Sequence, residues 1–268
     1  MNLREQAIHY KTFGFLALPQ AFAAAEVAEI SRIFDALLAE DRGGKPFSGE
    51  RRQTLFGIAE KHPLLRQLVE DDRIYATVEN LLGSGFSWLC SEGNLYIGDT
   101  PWHPDGGSTP DFPFMKVSLY LDKLAPDGGC LRVIPGSHRL PLHGELRNLT
   151  ERQGEVDGAK SKLDTAAAEV PCCYLPARPG DVFFLDMNMW HASFGGRAGR
   201  RHLALNFTPP PVEAEHIAML ERDYQGILKL MERFQCSRPG RVFTDEFLHS
   251  ASPRIQGLVS KWVELGRV

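Results

Sequence analysis

No run of apolar residues in this sequence is long enough for a helical membrane span. The opening residues MNLREQAIHYKTFGF also lack the basic-then-apolar order of a secretory signal, so a cytoplasmic protein is expected. Cysteine is scarce. The 5 thiols are Cys90, Cys130, Cys172, Cys173 and Cys236, and none are spaced C-x-x-C, which removes a structural zinc site and leaves buried, reduced cysteines as the plain reading. Neither sign of charge dominates. A net charge of −4 gives nucleic acid or an anionic membrane no electrostatic reason to bind. There is no Ser- or Pro-rich linker and no internal repeat. One domain over residues 1–268 follows, and nothing in the pattern sets an oligomeric state. The chain has enough to build a core: 43% of its residues are hydrophobic and 10% aromatic.

The texture of the chain divides this domain into three parts. Residues 1–85 read as a strand at 13–18 (FGFLAL) and an amphipathic helix over 22–40, with Val27, Ile30, Ile33, Phe34, Leu37 and Leu38 at helical spacing. A Gly-rich loop over 41–51 and two helices near 63–70 and 73–82 complete that part. From 86 to 210, short aromatic and branched runs alternate with Gly/Pro/Asp turns: SWLCSEGNLYIG, FMKVSLYLD, CLRVIPG, DVFFLDM and HLALNFT. That rhythm predicts a β-sandwich or jelly roll rather than βαβ units. A long polar connection, 140–176, separates two of these runs and reads as a lid or binding loop. Residues 211–268 return to helix, with Ile217, Leu220, Tyr224, Ile227, Leu228 and Met231 in a stripe. The fold class is α+β: a β-barrel core with flanking N- and C-terminal helices packed on one sheet.

The chemistry starts at TPWHPDGG. His103 and Asp105 are two residues apart, so on extended chain both side chains project from the same face and one metal can take both. A lone His-x-Asp is more often a surface histidine beside a turn aspartate. Here His191 follows in MNMWHAS, 86 residues past Asp105, and only a fold that brings distant strands together joins it to them. Two histidines and one carboxylate bind Fe(II) on one face and leave the other open.

Arg200 and Arg201 follow His191 by nine and ten residues. Alternation along RRHLALNF puts Arg201 with Leu203, Leu205 and Phe207, and Arg200 with His202, Ala204 and Asn206. If helices cover the apolar face, Arg200 points into the barrel, where a buried guanidinium requires a carboxylate; Arg201 is the alternative. Lys116, Ser118 and Tyr120 share one face of FMKVSLYLD and line either the barrel or its outside. His138 reads as a brace for a turn rather than a fourth ligand.

The order WHPD, APDGGCLRVIPGSHR, PGDVFFLD, MWHAS and RRHLALNF resembles the phytanoyl-CoA dioxygenase family of Fe(II)/2-oxoglutarate oxygenases, which includes ectoine hydroxylase. The likeness covers roughly residues 10–210, and Gly128 to His138 is its most specific segment. It implies a double-stranded β-helix, with Fe(II), 2-oxoglutarate and O₂ as cofactor and cosubstrates. By the same likeness His103, Asp105 and His191 match the iron ligands and Arg200 the 2-oxoglutarate arginine. Asn94 and Ser193 match residues that contact the cosubstrate. The implied reaction is hydroxylation of an unactivated C–H bond of a small metabolite, with succinate and CO₂ released. In related halogenases a glycine or alanine replaces the carboxylate, so Asp105 favours hydroxylation. Desaturation or ring formation uses the same ligands. Two rivals are a cupin-like metal enzyme that does not use 2-oxoglutarate and a non-catalytic binding module on the same fold. Substrate selectivity is expected in residues 43–56, in 140–176 and in the C-terminal helices.

Overall fold

The computed structural model describes residues 1–106, 112–147, 149, 167–236 and 240–267. Among the described residues, ten strands form two antiparallel sheets. They are β1 (Phe15–Leu18), β2 (Gln53–Phe56), β3 (Ser87–Tyr96), β4 (Thr100–His103), β5 (Met115–Tyr120), β6 (Leu131–Val133), β7 (Cys173–Leu175), β8 (Val182–Asp186), β9 (His191–Ser193) and β10 (Arg200–Thr208). The larger sheet runs β1-β8-β5-β10-β3-β2 and the smaller β4-β9-β6-β7. This is the expected double-stranded β-helix with flanking helices. Both sheets place distant segments side by side, as a strand order that departs from chain order requires.

Alternation decides what each face of the large sheet does. Trp88, Leu203, Leu205 and Phe207 are fully buried on one face, in a single core with helices α2 (Ala24–Asp41), α3 (Pro63–Glu70), α4 (Asp72–Leu82) and the C-terminal helices Ala214–Arg233 and Pro253–Glu264. Each such side chain contributes about 1.5–3 kcal/mol when taken out of water. The stripe anticipated in the tail lies here, through Leu220, Tyr224, Ile227 and Met231. Trp262 donates its indole N–H to the Trp88 carbonyl at 2.5 Å, tying the last helix to β3. The opposite face carries Arg200, His202 and Asn206 of β10 beside Tyr96, Asn94 and Cys90 of β3, and Tyr120, Ser118 and Lys116 of β5. Polar residues at period two therefore turn inward, toward the second sheet.

Three elements differ from the sequence reading. Residues 3–13 form helix α1 (Leu3–Phe13), so the first strand opens at Phe15 and not at residue 13. A capping box of Asn2 and Glu5 starts this helix, and only Tyr10 of it is buried, which leaves little apolar periodicity to detect. Gly14 ends it at φ 84°, where a Cβ would also strike the His138 ring. β2 follows the loop read over 41–51, in a stretch given no element, and β7 lies within the 140–176 connection. Residues 148 and 150–166 of that connection, including Arg152, Lys160 and Lys162, fall outside the described residues, as does Gly107 of the turn after Asp105. Among the described residues no helix is long and apolar enough to cross a membrane.

Candidate metal centre and its cavity

β4 and β9 pair in the small sheet with His103 directly opposite His191, and this register brings the two imidazoles together. Their ring centroids are 4.4 Å apart. The His103 Nδ1–H donates to the Pro101 carbonyl at 2.7 Å and the His191 Nδ1–H to the Met189 carbonyl at 2.9 Å. With Nδ1 holding the proton, each ring in its neutral form directs the lone pair of Nε2 the other way. His103 Nε2 lies 3.6 Å from Asp105 Oδ1, and His191 Nε2 lies 3.5 Å from Asp105 Oδ2. One ligand atom from each of the three residues falls within 4.8 Å of the others. Two imidazole nitrogens and a carboxylate oxygen at this separation fit a first-row divalent ion on one face.

The turn after β8 organises the cluster. Asp105 N–H donates to the Met187 carbonyl and Met189 N–H to the Asp186 carbonyl, both at 2.9 Å. Asp186 Oδ1 accepts the Asn188 N–H at 2.8 Å. Burial pushes the Asp186 carboxyl up to about 7, with the Asn188 hydrogen bond offsetting part of the shift. A folded-state pKa above the unfolded value of ~3.9 means that the stabilisation is present at acid pH and is lost as pH rises through about 7. Asp186→Asn should therefore raise stability at pH 8 by about 1–3 kcal/mol and much less at pH 5. Urea titrations at the two pH values check this. Equal shifts at both would mean that the carboxyl ionises normally.

Charge inside the site is arranged around Asp105. Burial opposes its ionisation, but Lys116, His191 and His103 outweigh it and hold the carboxyl well below the usual range. Burial pulls His191 down to about 4, so it is neutral. Burial also depresses His103, but the Asp105 carboxylate more than compensates and its pKa rises. Lys116 Nζ donates to Asp105 Oδ2 at 2.8 Å and lies 3.8 Å from Glu92 Oε1. Sequence alternation had left Lys116 free to face either way; it faces in.

Arg200 opens β10 and is 4% exposed. Its Nη1 donates to the Gly129 carbonyl at 2.7 Å and to Ser193 Oγ at 2.6 Å, and its Nη2 to the Gly98 carbonyl at 2.5 Å. Nε is buried without a partner, and no carboxylate pairs with the guanidinium among the described residues. Burial accordingly lowers its pKa. Gly129, at φ 81°, and Gly196 make room for it, since a Cβ at either would collide with the guanidinium. The second glycine of the Gly-Gly in the most specific sequence segment thus has a steric cause. Arg201 points the other way, donating to Asp122 at 3.0 Å and to Asp35 of α2 at 2.9 Å.

A cavity of 790 Å³ joins these groups, bounded by both sheets and the helix Ala214–Arg233. That is within the range of about 300–1,000 Å³ usual for small-molecule sites. His103, Asp105, His191, Ser193 and Arg200 all line it. Asn94 does not. Its Oδ1 accepts from Arg52 at 2.7 Å and from Thr54 at 2.8 Å, so it braces Arg52, which does reach the cavity. His138 is buried, with Nε2 3.3 Å from the Lys11 carbonyl, as a brace against α1. Sequence reasoning missed Arg52, Glu92 and Asp223 on the cavity wall. Glu92 was legible, lying two residues before Asn94 and four before Tyr96 on one strand face. Asp223 was not, because a polar residue on an amphipathic helix ordinarily meets solvent.

Residues 10–202 match the family model described as Phytanoyl-CoA dioxygenase (PhyH). Over 215 residues the chain is 28% identical to an ectoine dioxygenase of Sphingopyxis alaskensis, covering 71% of this chain and 70% of that protein. Its backbone resembles HygX of Streptomyces hygroscopicus, solved with nickel and 2-oxoglutarate bound, at TM-score 0.59 and 23% identity, over 76% of this chain and 85% of that one. It also resembles EctD of S. alaskensis with bound Fe, at TM-score 0.58 and 23% identity, over 76% of each chain. The chain belongs to the phytanoyl-CoA dioxygenase (PhyH) family and is a 2-oxoglutarate-dependent oxygenase.

Proposed function

We propose that this enzyme hydroxylates an unactivated C–H bond of a small metabolite, with His103, Asp105 and His191 as the ligands of Fe(II). The observation that carries the reading is the shared cavity: a two-histidine, one-carboxylate cluster opens into the same space as a buried arginine with no counter-ion. Arg200 supplies the charge-assisted, planar fork that the distal carboxylate of 2-oxoglutarate requires, and Ser193 Oγ beside it orients that fork. Ferrous iron and 2-oxoglutarate, when bound, supply the oxidative decarboxylation that reduces O₂ and oxidises the substrate. The balance is R–H + 2-oxoglutarate + O₂ → R–OH + succinate + CO₂. Lys116 neutralises and steers Asp105 through its Oδ2, and the backbone carbonyls of Pro101 and Met189 fix both rings in the ligating tautomer. The apolar walls from Leu131, Leu185 and Ala192 limit water beside the cluster.

The test is a metabolite screen with Fe(II), ascorbate and 2-oxoglutarate, following succinate and product mass together. The expected result is one succinate per product and a mass gain of one oxygen atom. A product formed without succinate would instead mark a metal enzyme that does not use 2-oxoglutarate. Loss of two hydrogens would mark desaturation or ring closure.

A further inference from the structure

The charged groups on the cavity wall are mostly matched to one another. Glu92 lies 3.6 Å from Arg52 and 3.8 Å from Lys116, and its Oε1 accepts from Asn206 at 3.0 Å. Lys116 is shared between Asp105 and Glu92. Arg52 is held by the Asn94 amide oxygen and stacks on Tyr96 at 4.2 Å. Arg200 and Asp223 stand outside this network, as does the exposed Arg233. Arg200 pairs with backbone carbonyls and Ser193 and with no carboxylate, and Asp223 has neither a hydrogen-bond donor nor a cation in contact among the described residues. Arg200 faces the space assigned above to 2-oxoglutarate. Asp223 comes from the helix Ala214–Arg233, which forms one wall of the cavity.

The local chemistry makes an unpaired Asp223 costly. It lies close enough to Glu92 and Lys116 for both charges to act on it. Burial and then the Glu92 carboxylate raise its pKa to about 7, and Lys116 offsets this only in part, because its charge is already engaged by Asp105 and Glu92. A carboxylate in this position is relieved by a cation that brings its own N–H donors, and no described side chain provides one. Ile227, Leu230 and Phe234 lie beside it on the same wall and offer apolar surface to a short carbon skeleton.

We propose that Asp223 is the substrate-recognition residue for a protonated amino group, so that the metabolite oxidised by this enzyme carries a basic nitrogen. The inference rests on the oxygenase reading above and specifies the substrate class of that same site. Asp223 lies within electrostatic reach of Glu92 and Lys116, the outer members of a polar row that starts at Asp105. An ammonium group anchored there holds the attached carbon chain across the cavity from Arg200, between the cosubstrate and the helix.

Binding to the anaerobic Fe(II)·2-oxoglutarate enzyme tests this without turnover. The probes are n-butylammonium, n-butanol and butyrate, titrated by calorimetry. The wild-type enzyme should bind the ammonium at least about tenfold more tightly than the alcohol, as a charge-assisted contact in a secluded site allows, and butyrate more weakly still. Asp223→Asn, which keeps the shape, should bring ammonium and alcohol within about twofold while leaving the thermal unfolding profile of a folded protein. An alcohol or butyrate that binds as well as the amine, an amine that gives no saturable binding, or an amine preference that survives in Asp223→Asn overturns the assignment. The visible charge-transfer band of Fe(II) chelated by 2-oxoglutarate separates this from the underlying reading. A normal band with no amine preference defeats the Asp223 proposal alone, and absence of the band defeats the metal-site reading itself.

Discussion

His191→Ala should reduce Fe(II) binding from one equivalent per chain to background and abolish succinate formation. His191 is the proposed ligand brought in from furthest along the chain, and its ring is fixed on two sides. Met189 takes the Nδ1 proton, and the register with His103 aims Nε2 at Asp105. Because burial keeps the ring neutral, its lone pair is available to a metal without first losing a proton. Changing the outer partners of metal ligands already costs about 10–100-fold in affinity or activity, so removing a ligand should cost more. Anaerobic dialysis followed by metal analysis reads the first effect, and succinate assay the second. Far-ultraviolet circular dichroism should be unchanged, because β9 is only three residues long and its neighbours Ala192 and Trp190 hold the packing. Stoichiometric iron in the folded variant would show that the cluster is not the metal site.

Arg200→Ala should raise the 2-oxoglutarate concentration for half-maximal rate by about 100-fold, with a much smaller change in the maximal rate. A buried guanidinium without a counter-ion is poised for an anion, and its loss removes charge-assisted contacts worth about 1.5–3 kcal/mol. Arg201→Ala should leave that concentration within about twofold and instead lower stability by about 1–2 kcal/mol, since it uncouples β10 from Asp122 and from Asp35 on α2. Steady-state kinetics and urea unfolding on both variants separate the two roles. The reverse pattern, with the cosubstrate defect in Arg201→Ala, would mean that β10 presents its other face to the cavity.

That pair of variants also shows why much of the site was legible. Arg200 and Arg201 are chemically identical neighbours, and period-two alternation with Leu203, Leu205 and Phe207 sorts them. The apolar set has to meet the helices, so its alternate set has to turn inward. The same rule places His103 with Asp105. Ser193 was recognised only through family likeness, yet its position against Arg200 follows from the three-residue strand that begins at His191. Asn94 matched the family pattern equally well and sits one layer back, behind Arg52. A sequence reading identifies a residue's face on a strand but not which neighbour crosses in front of it. Helix α1 went unseen for a related reason: packing that buries only Tyr10 leaves almost no apolar period, and the Asn2–Glu5 capping box was its one local sign.

The amino-acid sequence by itself determined the fold class, the two-residue spacing that puts His103 and Asp105 on one face, and the face on which Arg200 lies. These follow from bond geometry and from the burial of apolar side chains within a single strand or helix, and they hold wherever the segment goes. The tertiary structure alone decided that His191 stands opposite His103, that Gly129 accommodates the Arg200 guanidinium, and that Asp223 lines the same cavity. Those contacts join segments tens of residues apart. They depend on the order in which strands enter the two sheets and on how a helix packs over the opening, and only the burial of the whole chain selects these.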